Sequence, residues 1–201
     1  MKKVVLFEGP DGVGKTTQIE MLLKDDTYRF NLLAQPNSCS PMSFREEVFS
    51  SDKLTGLEAQ LLFSLSHMYD LYEYISKITG DLIMDRSFIS GLIYGSVACG
   101  GRNEFLSDVV HRLSELHKAY MASMDVNIVF LLPEKRFNNE SDDVFEKTLK
   151  WGELRDGYLE VVDYMDKENV SMFSRREKVL VVDNSKLTAE ETYARIRNFV
   201  S

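Results

Sequence analysis

The chain has 201 residues, 44% of them hydrophobic, and a net charge of -8 from 32 acidic against 24 basic side chains. That is enough apolar material for one sizeable domain over residues 1–201, and the acidic balance argues against a nucleic-acid coat or a polybasic membrane anchor. Cys39 and Cys99 make no metal or disulfide framework, the first strand leaves no room for a signal peptide, and no apolar run reaches membrane-spanning length, so the expected setting is cytoplasmic.

In chain order, residues 4–7 are an apolar run that reads as a buried strand, and a helical pattern runs over 15–23. Between them stands Gly9-Pro10-Asp11-Gly12-Val13-Gly14-Lys15-Thr16, the pattern G-x-x-x-x-G-K-[ST], with Thr17 behind it. A strand, a glycine-rich turn and a helix start in that order make a phosphate-binding loop, the Walker A motif. Glycines let the backbone N–H groups at Gly9, Gly12, Val13 and Gly14 converge on an anion, and the helix N-terminus adds its positive end. Lys15 brings a mobile charge to the β- and γ-phosphates, and the Thr16 hydroxyl can hold Mg2+.

Residues 32–34 read as a short second strand, ended by Gln35-Pro36, with a short helix over 42–49. A long amphipathic helix opens at the capping box Thr55-Gly56-Leu57-Glu58, and its apolar face continues to Ile78. Residues 82–84 form a buried strand that ends in Asp85-Arg86; a helix follows to about residue 99, and Gly100-Gly101 breaks it. An amphipathic helix spans 103–121, and a core strand spans 126–132 until Pro133 ends it. A polar loop, 134–142, leads to a helix over about 143–166; the last strand is 179–182, and a second capping box, Thr188-Ala189-Glu190-Glu191, opens the C-terminal helix.

This alternation predicts an α/β fold: a P-loop NTPase-type parallel β-sheet of about five strands, helices on both faces, and a short lid near 133–143. Such sheets bind ligands at the carboxyl ends of their strands. Three of those ends carry the polar residues: the 9–17 loop, Gln35-Pro36 and Asp85-Arg86. Asp85 stands where P-loop proteins orient Mg2+ through water, or it caps the next helix; Arg86 can clamp a phosphate bidentately, or pair with an acid.

The run from Phe7 to Gln18 resembles the signature of thymidylate kinases, which pass the γ-phosphate of ATP to dTMP. Further similarities cover essentially the whole chain: Gln35-Pro36 for a Glu-Pro pair, Phe44-Arg45 for Ile-Arg, and Phe63 with His67 for a Phe-x-x-x-Arg base-recognition pair. Asp85-Arg86, Ser90 and Tyr94 match the family's Asp-Arg-Tyr-x-x-Ser-x-x-x-Tyr, with Ser87 in place of its first Tyr, and Pro133-Glu134 precedes the lid. The resemblance implies an ATP- and Mg2+-dependent enzyme that makes dTDP on the route to dTTP. It implies that Lys15 and Thr16 bind ATP phosphates and Mg2+, with Asp85 as the second metal residue, and that Asp11 orients the acceptor or the metal. Arg45 and Arg86 would grip the acceptor phosphate, Gln35 and Pro36 would belong to the substrate site, Phe63 would stack on the base, His67 would read its edge, and Ser90 and Tyr94 would line the base and sugar pocket.

No arginine lies between Gly9 and Gly14, and relatives of that kind supply one from the lid, so Arg136 is the expected catalytic cation, with Lys135 beside it. No general base is expected, because a monophosphate with a second pKa of about 6 is already a nucleophile. The resemblance also implies a homodimer, to which the apolar helix 57–78 could contribute. Two other readings stay open. A deoxynucleoside kinase shares the fold but needs a carboxylate base where Gln35 stands, Glu8 being the acid that could serve instead; a nucleotide-dependent switch needs Asp-x-x-Gly after the third strand and Asn-Lys-x-Asp, and neither is found there.

Overall fold

Val4, Val5, Leu6 and Phe7 are all buried, so the first strand is covered on both faces, as the centre of a parallel sheet must be. The computed structural model describes residues 2–34, 77–98, 104–137 and 151–201, together with Glu58, Tyr69, Glu73 and Gly100. Its strands are β1 (Lys3–Glu8), β2 (Phe30–Ala34), β3 (Asp81–Asp85), β4 (Asp125–Leu131) and β5 (Glu177–Val182). All pair in parallel, in the order β2-β3-β1-β4-β5. The helices are α1 (Lys15–Lys24), α2 (Phe88–Ala98), α3 (Glu104–Met121), α4 (Trp151–Lys167) and α5 (Ala189–Val200).

The strand period of two sorts the apolar residues into two cores. Val4 and Leu6 of β1 join Leu82, Met84, Ile128 and Phe130 in a core closed by Phe88 and Ile89 of α2, Leu113 of α3 and Tyr158 of α4. Val5 and Phe7 face the other way, onto Ile19 and Leu22 of α1 and Ile196 and Val200 of α5. Helices therefore cover both faces of a five-stranded sheet, as the sequence predicts. β1 lies between β3 and β4, so its carboxyl end is the point where the strand order reverses, the place where sheets of this kind bind ligands.

Two strands, β2 and β5, begin two residues earlier than the apolar runs indicate. β2 starts at Phe30, because Phe30 and Asn31 pair with Asp81 and Leu82; β5 starts at Glu177, which pairs with Val126. The Glu177 carboxylate accepts the N–H groups of Met172 and Phe173 at 3.0 and 2.7 Å, so a charged residue can open the strand. The capping box at Thr188 forms as expected, with Thr188 Oγ1 accepting from the Glu191 N–H and Glu191 accepting from the Thr188 N–H. Gln35, Pro36, Arg45, Phe63, His67, both cysteines, the capping box at Thr55 and the loop beyond Phe137 lie outside the described residues. Among the described residues, no helix is long and apolar enough to cross a membrane.

Candidate active site

The loop between β1 and α1 is built on backbone that a side chain would oppose. Gly9, Gly12 and Gly14 have φ of 138°, 75° and 90°. A Cβ on Gly9 would run into the carbonyl oxygen of Leu131 in β4, so only glycine lets the loop leave β1 this close to its neighbour. Gly14 caps α1 with no side-chain hydrogen bond, and the first turn of α1 carries no acid, so the positive helix end faces the loop uncompensated. Val13 is buried, and its carbonyl accepts Asn184 Nδ2 at 3.0 Å, which ties the loop to the end of β5.

Lys15 is 6% exposed and its Nζ turns back over the loop, donating to the carbonyls of Gly9 at 2.9 Å and Pro10 at 2.7 Å. Asp11 Oδ1 is 3.7 Å from that ammonium. Thr16 and Thr17 are exposed on the first turn of α1, so the Thr16 hydroxyl is open to a ligand. Asp85 ends β3; burial raises its carboxyl above the usual range while the Lys15 charge pulls it back, and its buried Oδ1 has no hydrogen-bond partner. An orphaned carboxylate oxygen and an open hydroxyl are a hard-oxygen donor set that fits Mg2+.

Arg86 follows with φ of 76°, a left-handed conformation that costs a non-glycine residue energy, held by its N–H on the Phe7 carbonyl at 3.0 Å. Its Nη1 donates to the Gly9 carbonyl at 3.3 Å, to Ser90 Oγ at 3.2 Å and to Tyr158 Oη at 3.4 Å. Its Nη2 donates to Asp11 Oδ1 and, at 3.4 Å, to Tyr94 Oη. Its guanidinium carbon lies 5.2 Å from the centre of the Tyr94 ring, whose hydroxyl donates to Asp11 Oδ2 at 3.2 Å. Lys15 and Arg86 therefore share one carbonyl, that of Gly9, and one carboxylate, that of Asp11.

Glu8 lies beneath them, fully buried, with Ser87 Oγ donating to Oε1 at 2.5 Å and Ser90 Oγ to Oε2 at 2.6 Å. Burial lifts it to about 7, and the serine hydroxyls, Arg86 and Lys15 pull the other way. Both oxygens are occupied, so Glu8 is not presented to a substrate hydroxyl.

The described residues thus bring together Asp11, Lys15, Asp85, Arg86, Ser90 and Tyr94 at one mouth. Arg136 is partly buried in the loop after β4, at the same edge of the sheet. Three further residues converge there without having been singled out in the sequence: Tyr158, Asn184 and Arg155, whose Nε donates to the Pro133 carbonyl at 2.9 Å at the base of the 133–143 loop. Asn184 carried a usable signal, since it stands just past the apolar run of β5. Tyr158 and Arg155 lie on an amphipathic helix, where such residues read as core and solvent face.

A phosphate-binding loop at the switch point of a parallel sheet, with a second cation across it, defines a P-loop phosphotransferase. A family model described as thymidylate kinase matches residues 7–185, and the chain belongs to that family, one of nucleoside monophosphate kinases. The thymidylate kinase of Campylobacter hominis is 28% identical over 209 residues, covering 98% of this chain and 99% of its own. The solved thymidylate kinase of Candida albicans shares the fold with a TM-score of 0.75 at 19% identity, over 99% of this chain and 91% of its own. A deoxyadenosine kinase from M. mycoides shares it with a TM-score of 0.63 at 19% identity, over 97% and 96%.

Proposed function

We propose that this chain transfers the γ-phosphate of ATP to dTMP, giving dTDP for dTTP synthesis. The observation that carries the reading is the shared carbonyl: Lys15 Nζ at 2.9 Å and Arg86 Nη1 at 3.3 Å meet at the Gly9 oxygen. Lys15 faces the donor phosphates and Arg86, with Arg45, the acceptor phosphate, so the transferring group lies between the two cations. Phosphoryl transfer needs in-line placement and neutralised charge more than covalent help. Asp11, which now spans both cations, yields to the phosphates and orients the acceptor. Mg2+ held by Thr16 and Asp85 would neutralise charge on the donor phosphates. Arg136 moves in with the lid at 133–143, adding a cation and excluding water.

In this reading Phe63 stacks on the base, His67 reads its edge beside Gln35-Pro36, and Ser90 and Tyr94 close the sugar side. The protein works as one domain, as a cytoplasmic homodimer acting on free nucleotides. The deoxynucleoside kinase alternative loses support from the burial of Glu8, whose oxygens are both taken by serines.

The test is product identification with ATP and dTMP, dUMP, dGMP, dCMP or thymidine, and with no acceptor. The expected outcome is dTDP formation with the highest kcat/KM, no thymidine phosphorylation, and a panel order that changes in His67→Arg. Phosphorylation of thymidine alone would overturn the reading.

A further inference from the structure

Above pH 7, where Glu8 is ionised, the hydrogen bonds that link Arg86 Nη1 to Ser90 and Tyr158 can each be assigned a direction, and they end at Glu8. Ser90 has one hydroxyl proton and gives it to Glu8 Oε2 at 2.6 Å. Tyr158 Oη lies 2.7 Å from Ser90 Oγ, so the tyrosine must be the donor of that pair. Its own lone pair is then free to accept Arg86 Nη1 at 3.4 Å, while Ser90 Oγ accepts the same nitrogen at 3.2 Å. Ser87 gives its proton to Oε1, and its oxygen accepts the N–H of Ile89 at 3.2 Å, which fixes the first turn of α2.

An apolar residue would fill this position at the end of β1 more cheaply, since a buried carboxylate loses its hydration and must regain it from neighbours. Here two serine hydroxyls hold it directly, with Tyr158 and Arg86 bonded in turn to Ser90. Asp11, by contrast, is 34% exposed in its side chain and lies on the loop, where in the proposed kinase a phosphate takes its place on the cations. Arg86 therefore has two kinds of counter-charge, one exchangeable and one fixed.

We propose that Glu8 is a positioning residue for Arg86: through Ser90 and Tyr158 it orients the guanidinium edge that faces the acceptor phosphate, without touching substrate. The inference rests on Arg86 being the acceptor grip in the proposed kinase. Glu8 aims the arginine while Asp11 comes and goes.

Glu8→Gln, Tyr158→Phe and the double variant test it, assayed with the best acceptor of the monophosphate panel, so the choice of base does not enter. A neutral amide reverses at least one bond of the chain, and phenylalanine removes one acceptor from Arg86. Each single variant is expected to raise KM for the acceptor about tenfold, the scale of one hydrogen bond to a charged group, with KM for ATP unchanged. The double variant should match the worse single one, because both cut the same chain. A merely structural role lowers kcat with the folded fraction and leaves both KM values in place; that result, or effects that multiply in the double variant, would overturn the proposal. If Glu8→Gln does not fold, Tyr158→Phe decides alone, and an unchanged acceptor KM sinks the chain. A wild type inactive with every monophosphate removes the kinase reading and this inference together.

Discussion

His117 gives the sharpest test of how the larger core is held. It is 1% exposed, Nδ1 meets the Leu113 carbonyl at 2.7 Å, and its ring packs 4.5 Å from that of Phe88 and 5.7 Å from that of Phe173. Burial lowers its pKa from 6.5 to about 4, the Leu113 carbonyl opposing. The unfolded chain therefore takes up a proton below 6.5 that the folded chain refuses until about 4, so this group's stabilisation is full above 6.5 and is lost as pH falls. The whole window is worth ~3 kcal/mol, and about 2 kcal/mol of it is gone at pH 5. Glu8 acts in the opposite sense: raised from 4.5 to about 7, its folded form holds a proton that the unfolded form has lost, so its contribution shrinks as pH rises through that range. The two slopes nearly cancel in the wild type between about pH 5 and 6.5. His117→Leu removes one of them. Urea titrations at pH 7.5 and pH 5 should show the stability gap between wild type and His117→Leu closing by about 2 kcal/mol at the lower pH. A gap that does not change with pH refutes a buried neutral histidine.

Lys15→Ala should keep its circular dichroism spectrum and lose roughly two to three orders of magnitude in turnover, since in the proposed function Lys15 acts on charge that develops in transfer; near-normal kcat in the folded variant would remove it from the mechanism. Arg136→Ala should lower kcat more than it raises KM for ATP, with Lys135→Ala milder, as steady-state kinetics would read; a silent Arg136→Ala moves the catalytic cation elsewhere. Gly9→Ala places a Cβ against backbone at Leu131 and should cost roughly 2–4 kcal/mol, seen in a thermal melt as a fall of about 5–15 °C. An unchanged melting temperature would show that the loop relaxes freely.

The phosphate loop was legible because its chemistry leaves few choices of sequence. Anion binding needs backbone in left-handed conformations, which needs glycine, and glycine at fixed spacing is visible in the chain. Asp85-Arg86 was legible for a related reason: charge at the end of an apolar run is placed at the sheet's carboxyl edge. Tyr158 was not, because its role depends on α4 docking against α2, a contact between residues 68 apart that no local pattern encodes. Glu8 was visible as an acid in range of the acceptor, but only the positions of Ser87 and Ser90 show that it faces inward. The first residues of β2 and β5 were hidden because polar side chains there are accommodated by pairing register and by loop N–H groups, not by periodicity.

The bare start of α1 closes a route to engineering. An exposed or poorly capped helix end is usually strengthened by installing Ser, Asn or Asp, a change worth about 1 kcal/mol. At Gly14 the same change would force a side chain into φ of 90° and aim its oxygen at the N–H groups that a phosphate must reach. Nucleotide at a hundredfold excess over Kd adds about 2.7 kcal/mol on its own. In the proposed function the nucleotide phosphate is the cap this helix lacks, and a permanent one would compete with it. Gains in thermal tolerance have to be sought at the other end of the molecule, away from the carboxyl edge.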